Sequence, residues 1–435
     1  MYAVIEGGHP PRGTVEVSGA KNSATRLLAA SLLADGPVEL ERFPVNLVDV
    51  GHKVAFAEQL GATVRRESAS EHLIVDASGM SQGLSGQLDF TLPIRTTYLL
   101  AAAQLVRGQS AMVPYPGGCS IGGGPRGGRG YDLHVMVWER LGCFVKEEAQ
   151  FLRVEAPEGL RGGEIDFPIS TVGGTENAIL CASVARGKTE VRNAYITPEV
   201  TDLIDLLRLM GAHIEVYGTS RLVIEGVEGT LGTARKTVMS DRIEALTWIV
   251  YALIARGSVS VHNVPFEAMD IPLSHLRHAG IDLLTNDTSV HVTPESLLAG
   301  SVQPFEVACG TYPGVISDMQ PFFVLLGLAA DGTSRIYDYR YPERIAFVQE
   351  LQKLVHPGAV RAEHGSITTY GPAAFTAGRA RSTDLRGSMA AVIAALCAPG
   401  TSRIDSVEMA LRGYNSLELK LRALGISLSL SDDSD

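Results

Sequence analysis

One pattern recurs six times along this chain and constrains its fold more than any single motif. Each copy has an apolar helix, a glycine stop and a short β run, then a second helix ending near Leu-Gly and another β run. The first copy reads NSATRLLAASLLADGPVELERF, then FAEQLGATV; the third reads NAILCASVARGKTEVRNA, then LIDLLRLMGAHIEV; the sixth reads SMAAVIAALCAPGTSRIDSV, then LELKLRALGISLSL. Gly36, Gly108, Gly187, Gly257, Gly332 and Gly400 each follow the apolar helix. Glycine ends a helix there by taking the left-handed conformation. The first helix of each copy is apolar nearly all round and is predicted to be buried. The second is amphipathic and is predicted to lie between sheet and solvent. A period of about seventy residues is too long for a solenoid of single supersecondary units.

With 435 residues, one core is too few. Six copies divide most simply into two α/β domains of three repeats, 21–239 and 1–20 plus 240–435. The chain crosses between them near Gly19-Ala20 and near Val238–Ser240. The opening stretch AVIEGGHPPRGTVEVSG reads as a lone β hairpin that completes the last repeat. A cleft flanked by two hinge strands is a common place for a substrate to bind.

Charge narrows the partners. Lys and Arg number 37 against 48 Asp and Glu, a net charge of -11. That balance disfavours nucleic acid or an anionic membrane, yet leaves room for a local arginine cluster around a small anion. No apolar run is long enough to span a bilayer. The opening MYAVIEGGHPPRG lacks the basic start and apolar core of a signal peptide, so a cytoplasmic protein is expected. Five widely spaced cysteines suggest neither a disulfide framework nor a metal site, and no metal or cofactor is expected. Cys143, Cys181, Cys309 and Cys397 lie in apolar stretches and read as core residues.

Chemistry-bearing residues gather at the starts of the buried helices. Lys21-Asn22 opens the first, where the positive helix pole suits a phosphate or carboxylate; taken alone, the pair suits a solvated lysine and a cap equally. Pro116-Gly117-Gly118-Cys119-Ser120-Ile121-Gly122 is a glycine loop presenting one thiol, against the alternative of a plain turn. The stretch after it carries Arg126 and Arg129 and reads as a lid. Asp318 begins the fifth buried helix, where taken alone it suits a helix cap; Asp384-Leu385-Arg386 occupies the matching place in the sixth, and Arg412-Gly413-Tyr414 the loop after it. Lys21, Arg95, Arg129, Arg386 and Arg412 would make an acidic protein locally anion-binding.

The ordered set SGAKN, PGGCSIG, DLH, SDMQ, TDLRGS and RGY on sixfold repeats resembles the UDP-N-acetylglucosamine enolpyruvyl transferase family over essentially the whole chain. The shikimate-phosphate enolpyruvyl transferases share the architecture but lack the cysteine loop. The resemblance implies an inside-out α/β prism of six βαβαββ repeats in two domains. Its implied substrates are phosphoenolpyruvate and a uridine nucleotide. Lys21, Arg129 and Arg412 match residues that hold the phosphate and carboxylate of phosphoenolpyruvate. Cys119 matches the residue that protonates its methylene carbon or attacks C2, and that the epoxide phosphonate fosfomycin alkylates. Asn22 and Asp318 match residues on the acceptor sugar, the aspartate as base. Arg95 and Arg386 match further basic residues of the site. Asp132-Leu133 matches the segment around uracil, and Thr171-Val172-Gly173 a segment touching the nucleotide.

The departures surround the acceptor. Thr25-Arg26 stand where the family carries Leu-Pro. The stretch between Cys119 and Asp132 is longer than usual, so Arg126 competes with Arg129 for the phosphoenolpyruvate role. Extra residues precede Thr171, and Tyr339–Arg344 replaces a Phe-Glu-Asn-Arg sequence. The resemblance therefore implies transfer to UDP-N-acetylglucosamine, with two alternatives. One is transfer to the 3'-hydroxyl of UMP in nucleoside-antibiotic biosynthesis; the other is a catalytically idle nucleotide sensor.

Overall fold

The first helices of the repeats are held by their apolar residues, as the periodicity predicts. The computed structural model describes residues 1–80, 90, 93–117 and 130–432. Within them the buried helices are Lys21–Ser31, Ala101–Gly108 after a 3-10 turn, Val172–Ser183, Arg242–Ile254, Gln320–Leu328 and Leu385–Cys397. The second helices are Val48–Gln59, Asp132–Arg140, Pro198–Leu209, Asp270–His278, Ala346–Leu351 and Leu417–Ala423, each burying one face. No helix among the described residues is long and apolar enough to cross a membrane.

The described residues form two compact units, 1–18 with 240–432, and 19–117 with 130–239. Each has its own continuous apolar core. The third repeat shows the plan. Glu164–Asp166 leads into the buried helix, and Arg186–Arg192 returns parallel to it. The second helix then leads to His213–Tyr217 and Arg221–Val227, which pair antiparallel. A buried helix suits that parallel return, because parallel strands need a long crossover connection.

The opening stretch does not form a hairpin. Tyr2–Gly7 completes the last repeat, lying between Gly400–Asp405 and Leu428–Ser431. Arg12–Glu16 instead runs parallel to Ser258–His262 of the fourth repeat. Arg235–Thr237, the strand before the fourth buried helix, runs parallel to Pro37–Glu41 of the first repeat. Each strand at a crossing therefore closes the sheet of the unit it is leaving. Ala20 N donates to Met239 O at 2.7 Å in one unit, and Asp241 N to Ser18 O at 2.9 Å in the other.

The glycine stops divide into kinds. Gly187, Gly332 and Gly400 have positive φ, whereas Gln109 and Arg256 take the left-handed position beside Gly108 and Gly257. Gly257 is needed for space: a Cβ there would lie 2.6 Å from Pro11 O.

Candidate active site

In the unit formed by residues 19–239, helix Lys21–Ser31 begins with no side-chain cap, and the Ser23 and Ala24 amides donate to Ala20 O at 3.0 and 2.8 Å. Lys21 Nζ sits 2.9 Å from Asp49 Oδ2. Asp202 fixes this end: it accepts from Ser23 Oγ, from Met239 N at 3.2 Å, and pairs with Lys236 Nζ at 2.9 Å.

Arg95 precedes the 3-10 turn Thr96–Leu100 and donates through Nη2 to Gly130 O at 3.3 Å. That carbonyl lies just before the helix opened by Asp132 and Leu133. Gly117 N donates to Ile94 O at 3.0 Å, tying the start of the glycine stretch beside Arg95. His134 stacks on Tyr98 with ring centroids 3.7 Å apart. Burial, and then the nearby Arg95 charge, push its imidazole down to about 3, so it is neutral at physiological pH. A Cβ on Gly173 would lie 3.3 Å from that ring, so the Asp132-Leu133 and Thr171-Val172-Gly173 segments are neighbours. Thr171 Oγ1 caps its helix, accepting from Gly174 N at 3.3 Å. Cys119, Arg126 and Arg129 lie outside the described residues.

In the unit formed by residues 1–18 and 240–432, three acidic side chains and two arginines share the starts of the buried helices. Asp241 accepts from the Ile243 and Glu244 amides, and Asp384 from those of Arg386 and Gly387. Arg344 Nη1 donates to Asp318 Oδ1 at 2.8 Å and to Ser317 O at 2.9 Å, and its Nη2 donates to Asp384 Oδ1 at 2.7 Å. Arg386 lies 3.8 Å from both Asp241 Oδ2 and Asp318 Oδ2, with its guanidinium over the Tyr414 ring. Arg412 is partly buried at the C-terminal end of the short helix Glu408–Leu411, close to the Met409 thioether.

Burial opposes the charge on both guanidiniums, but their neighbours raise the pKa overall: Asp384 and Asp318 beside Arg344, and Tyr414, then Asp241 and Asp318, beside Arg386. Burial pushes Asp241 up despite Arg386. Arg386 Nη1 and Arg344 Nε find no hydrogen-bond acceptor among the described residues. Buried donors of this kind suit an anion. Asp318 keeps a side chain 32% exposed beside them, able to accept a proton from a ligand hydroxyl. No group of His, Cys, Asp and Glu among the described residues is arranged to hold a metal ion.

The family described as EPSP synthase (3-phosphoshikimate 1-carboxyvinyltransferase) matches residues 5–421. The chain belongs to this family of enolpyruvyl transferases. It is 36% identical over 429 residues to the UDP-N-acetylglucosamine 1-carboxyvinyltransferase of Prosthecochloris aestuarii, covering 98% of this chain and 97% of that one. It is 35% identical over 432 residues to the enzyme of the same name from Novosphingobium aromaticivorans, covering 98% of each. The crystal structure of the enolpyruvyl transferase NikO from Streptomyces tendae superposes with a TM-score of 0.86 at 26% identity, covering 98% of each chain. An EPSP synthase from Acinetobacter baumannii shares the fold at a TM-score of 0.73 and 16% identity, covering 99% of each. The enolpyruvyl transferase fold of six βαβαββ repeats is thus the fold of this chain.

Within each unit, the structure gathers Arg95 with Asp132-Leu133 and Thr171-Val172-Gly173, and Asp318 with Arg386. Arg344 escaped sequence reasoning as a site residue because it sits in a loop, 26 residues beyond Asp318. Its signal was the altered Tyr339–Arg344 stretch. Asp49 was missed for want of a local pattern, whereas His134 closes the Asp-Leu-His motif but was given no role of its own.

Proposed function

We propose that this enzyme, acting in the cytoplasm, transfers the enolpyruvyl group of phosphoenolpyruvate to the 3-hydroxyl of UDP-N-acetylglucosamine and releases phosphate. The observation that carries the reading is the buried pair Arg344 and Arg386 against a partly exposed Asp318. It offers anion donors beside a proton acceptor, which this chemistry requires. The names of the relatives at 35–36% identity over nearly the whole chain support the acceptor.

In this reading C3 of phosphoenolpyruvate gains a proton, from Cys119, while the acceptor oxygen bonds to C2 and gives its proton to Asp318. The tetrahedral adduct then loses phosphate from C2 and a proton from C3, leaving the enol ether. Cations stabilise the leaving phosphate. Lys21, Arg412 and Arg129, or Arg126 in its place, bind phosphoenolpyruvate, with Arg95 and Arg386 completing the basic set. Asn22 holds the acceptor sugar; Asp132-Leu133 and Thr171-Val172-Gly173 hold the nucleotide. The departures at Thr25-Arg26 and Tyr339–Arg344 favour a second reading with UMP as acceptor, through its 3'-hydroxyl.

A phosphate-release assay with phosphoenolpyruvate and UMP, UDP, UDP-glucose or UDP-N-acetylglucosamine tests this. Release with UDP-N-acetylglucosamine is expected. Release with UMP alone transfers the conclusion to the second reading, and release with none makes the chain a non-catalytic nucleotide binder. Lys21→Ala and Arg412→Ala should each lower turnover about tenfold or more, since each removes a charge-assisted contact worth roughly 1.5–3 kcal/mol. A loss below about threefold would place the anion elsewhere.

A further inference from the structure

The Thr25-Arg26 pair takes part in a buried charged layer within the core of its unit. Arg26 Nε donates to Glu176 Oε1 at 2.8 Å, and its Nη1 to Thr25 Oγ1 at 3.0 Å. Lys53 Nζ donates to Thr25 O at 2.7 Å. Lys53 is 0% and Glu176 1% exposed, and Glu176 Oε2 is buried with no hydrogen-bond partner among the described residues. Burial lowers the Lys53 pKa well below the ordinary lysine value and raises that of Glu176, with the Arg26 charge opposing the latter.

The layer has a definite depth. Thr25 and Arg26 follow Lys21 by four and five residues, a little over one turn into their helix. Glu176 follows Thr171, the cap of helix Val172–Ser183, by five residues, within one residue of the depth of Arg26 below its own cap Ala20. The pair thus bridges two helices just beneath the ends that carry Lys21-Asn22 and Thr171-Val172-Gly173. A buried ion pair adds little net stability over apolar side chains of the same volume. What it supplies is a directional tie of fixed length between two helices.

We propose that Arg26 and Glu176, steadied by Lys53, are positioning residues that set the spacing between these two helix ends and so tune affinity for the uridine acceptor. The inference rests on the proposed function, which assigns both ends to substrate. Neither residue touches the reacting atoms, so the layer acts on binding and leaves the chemical step unchanged.

The test compares the wild type with the Arg26→Met/Glu176→Met double variant and with Glu176→Gln, which keeps the shape and removes the charge. Melting temperature, the Kd of UDP-N-acetylglucosamine by calorimetry, and kcat with KM for each substrate are measured. The double variant should melt within about 4 °C of the wild type. Its acceptor Kd and KM should rise about tenfold, with kcat at saturation and KM for phosphoenolpyruvate within about twofold. A folded double variant with unchanged acceptor Kd would overturn the proposal. Should the double variant not fold, Glu176→Gln decides in the same way, by a raised or an unchanged acceptor Kd. A wild type that neither binds nor turns over the nucleotide overturns the proposed function, and this inference with it. Equal binding by all three proteins overturns this inference alone.

Discussion

His134 carries an imidazole whose surroundings refuse a proton. It lies against Tyr98, is buried, and faces the Arg95 charge, so its pKa falls from 6.5 to about 3. The unfolded chain takes up a proton as the pH drops below 6.5, while the folded chain does not. The neutral state therefore contributes stability that is full above 6.5 and is lost as the pH falls toward about 3. His134→Phe keeps the stack and abolishes this dependence. Between neutral pH and about pH 5 the wild type should lose about 2 kcal/mol more than the variant in urea melts. Equal losses would mean that the imidazole is protonated in place. The same scale explains which candidate site residues pattern reasoning reaches. Asp318 and Arg386 stand at helix starts, where repeat periodicity marks them. Arg344 comes from a loop, and only folding lays it against Asp318 and Asp384.

At the scale of the element, two of the glycine stops make opposite demands. Gly187 has φ +88 with nothing near a built Cβ, so alanine there meets only backbone strain of about 1 kcal/mol. Gly257 has an ordinary φ, but a Cβ would meet Pro11 O at 2.6 Å and Pro11 Cγ at 2.7 Å. Gly257→Ala must push the segment leading into strand Arg12–Glu16 away from its neighbour, and should cost about 2–3 kcal/mol in chemical denaturation. Gly257→Ala no more costly than Gly187→Ala would show that the Pro11 segment yields freely. Sequence pattern assigns both glycines to one class because both follow an apolar helix. Which of them serves torsion and which serves space depends on a strand more than 240 residues away in the chain.

For the whole molecule, closure of each unit by its own strands has a consequence for folding. Parallel pairing of Arg235–Thr237 with Pro37–Glu41 joins the end of the 19–239 segment to its beginning. Its apolar core draws only on residues 24–238. The segment 19–239 expressed alone is therefore expected to fold and to melt cooperatively. A molten or aggregated fragment would show that the core does not suffice. The complementary fragment must be made with residues 1–18, because Tyr2–Gly7 supplies an inner strand to the last sheet.

Local periodicity alone determined that there are six repeats, which helix of each is buried, and which residues stand at the helix starts. Apolar spacing and glycine stops act within one or two turns, so they are written in adjacent letters. The enolpyruvyl transferase motifs are equally local. Tertiary structure alone decided where the crossing strands pair, since Tyr2–Gly7 and Arg12–Glu16 have the same look and go to different sheets. It also decided that Arg344 clasps two acidic side chains, and that Arg26 finds Glu176 150 residues away. Hydrogen bonds and ion pairs of this kind join groups far apart in the chain, and their partners exist only once the buried helices have packed.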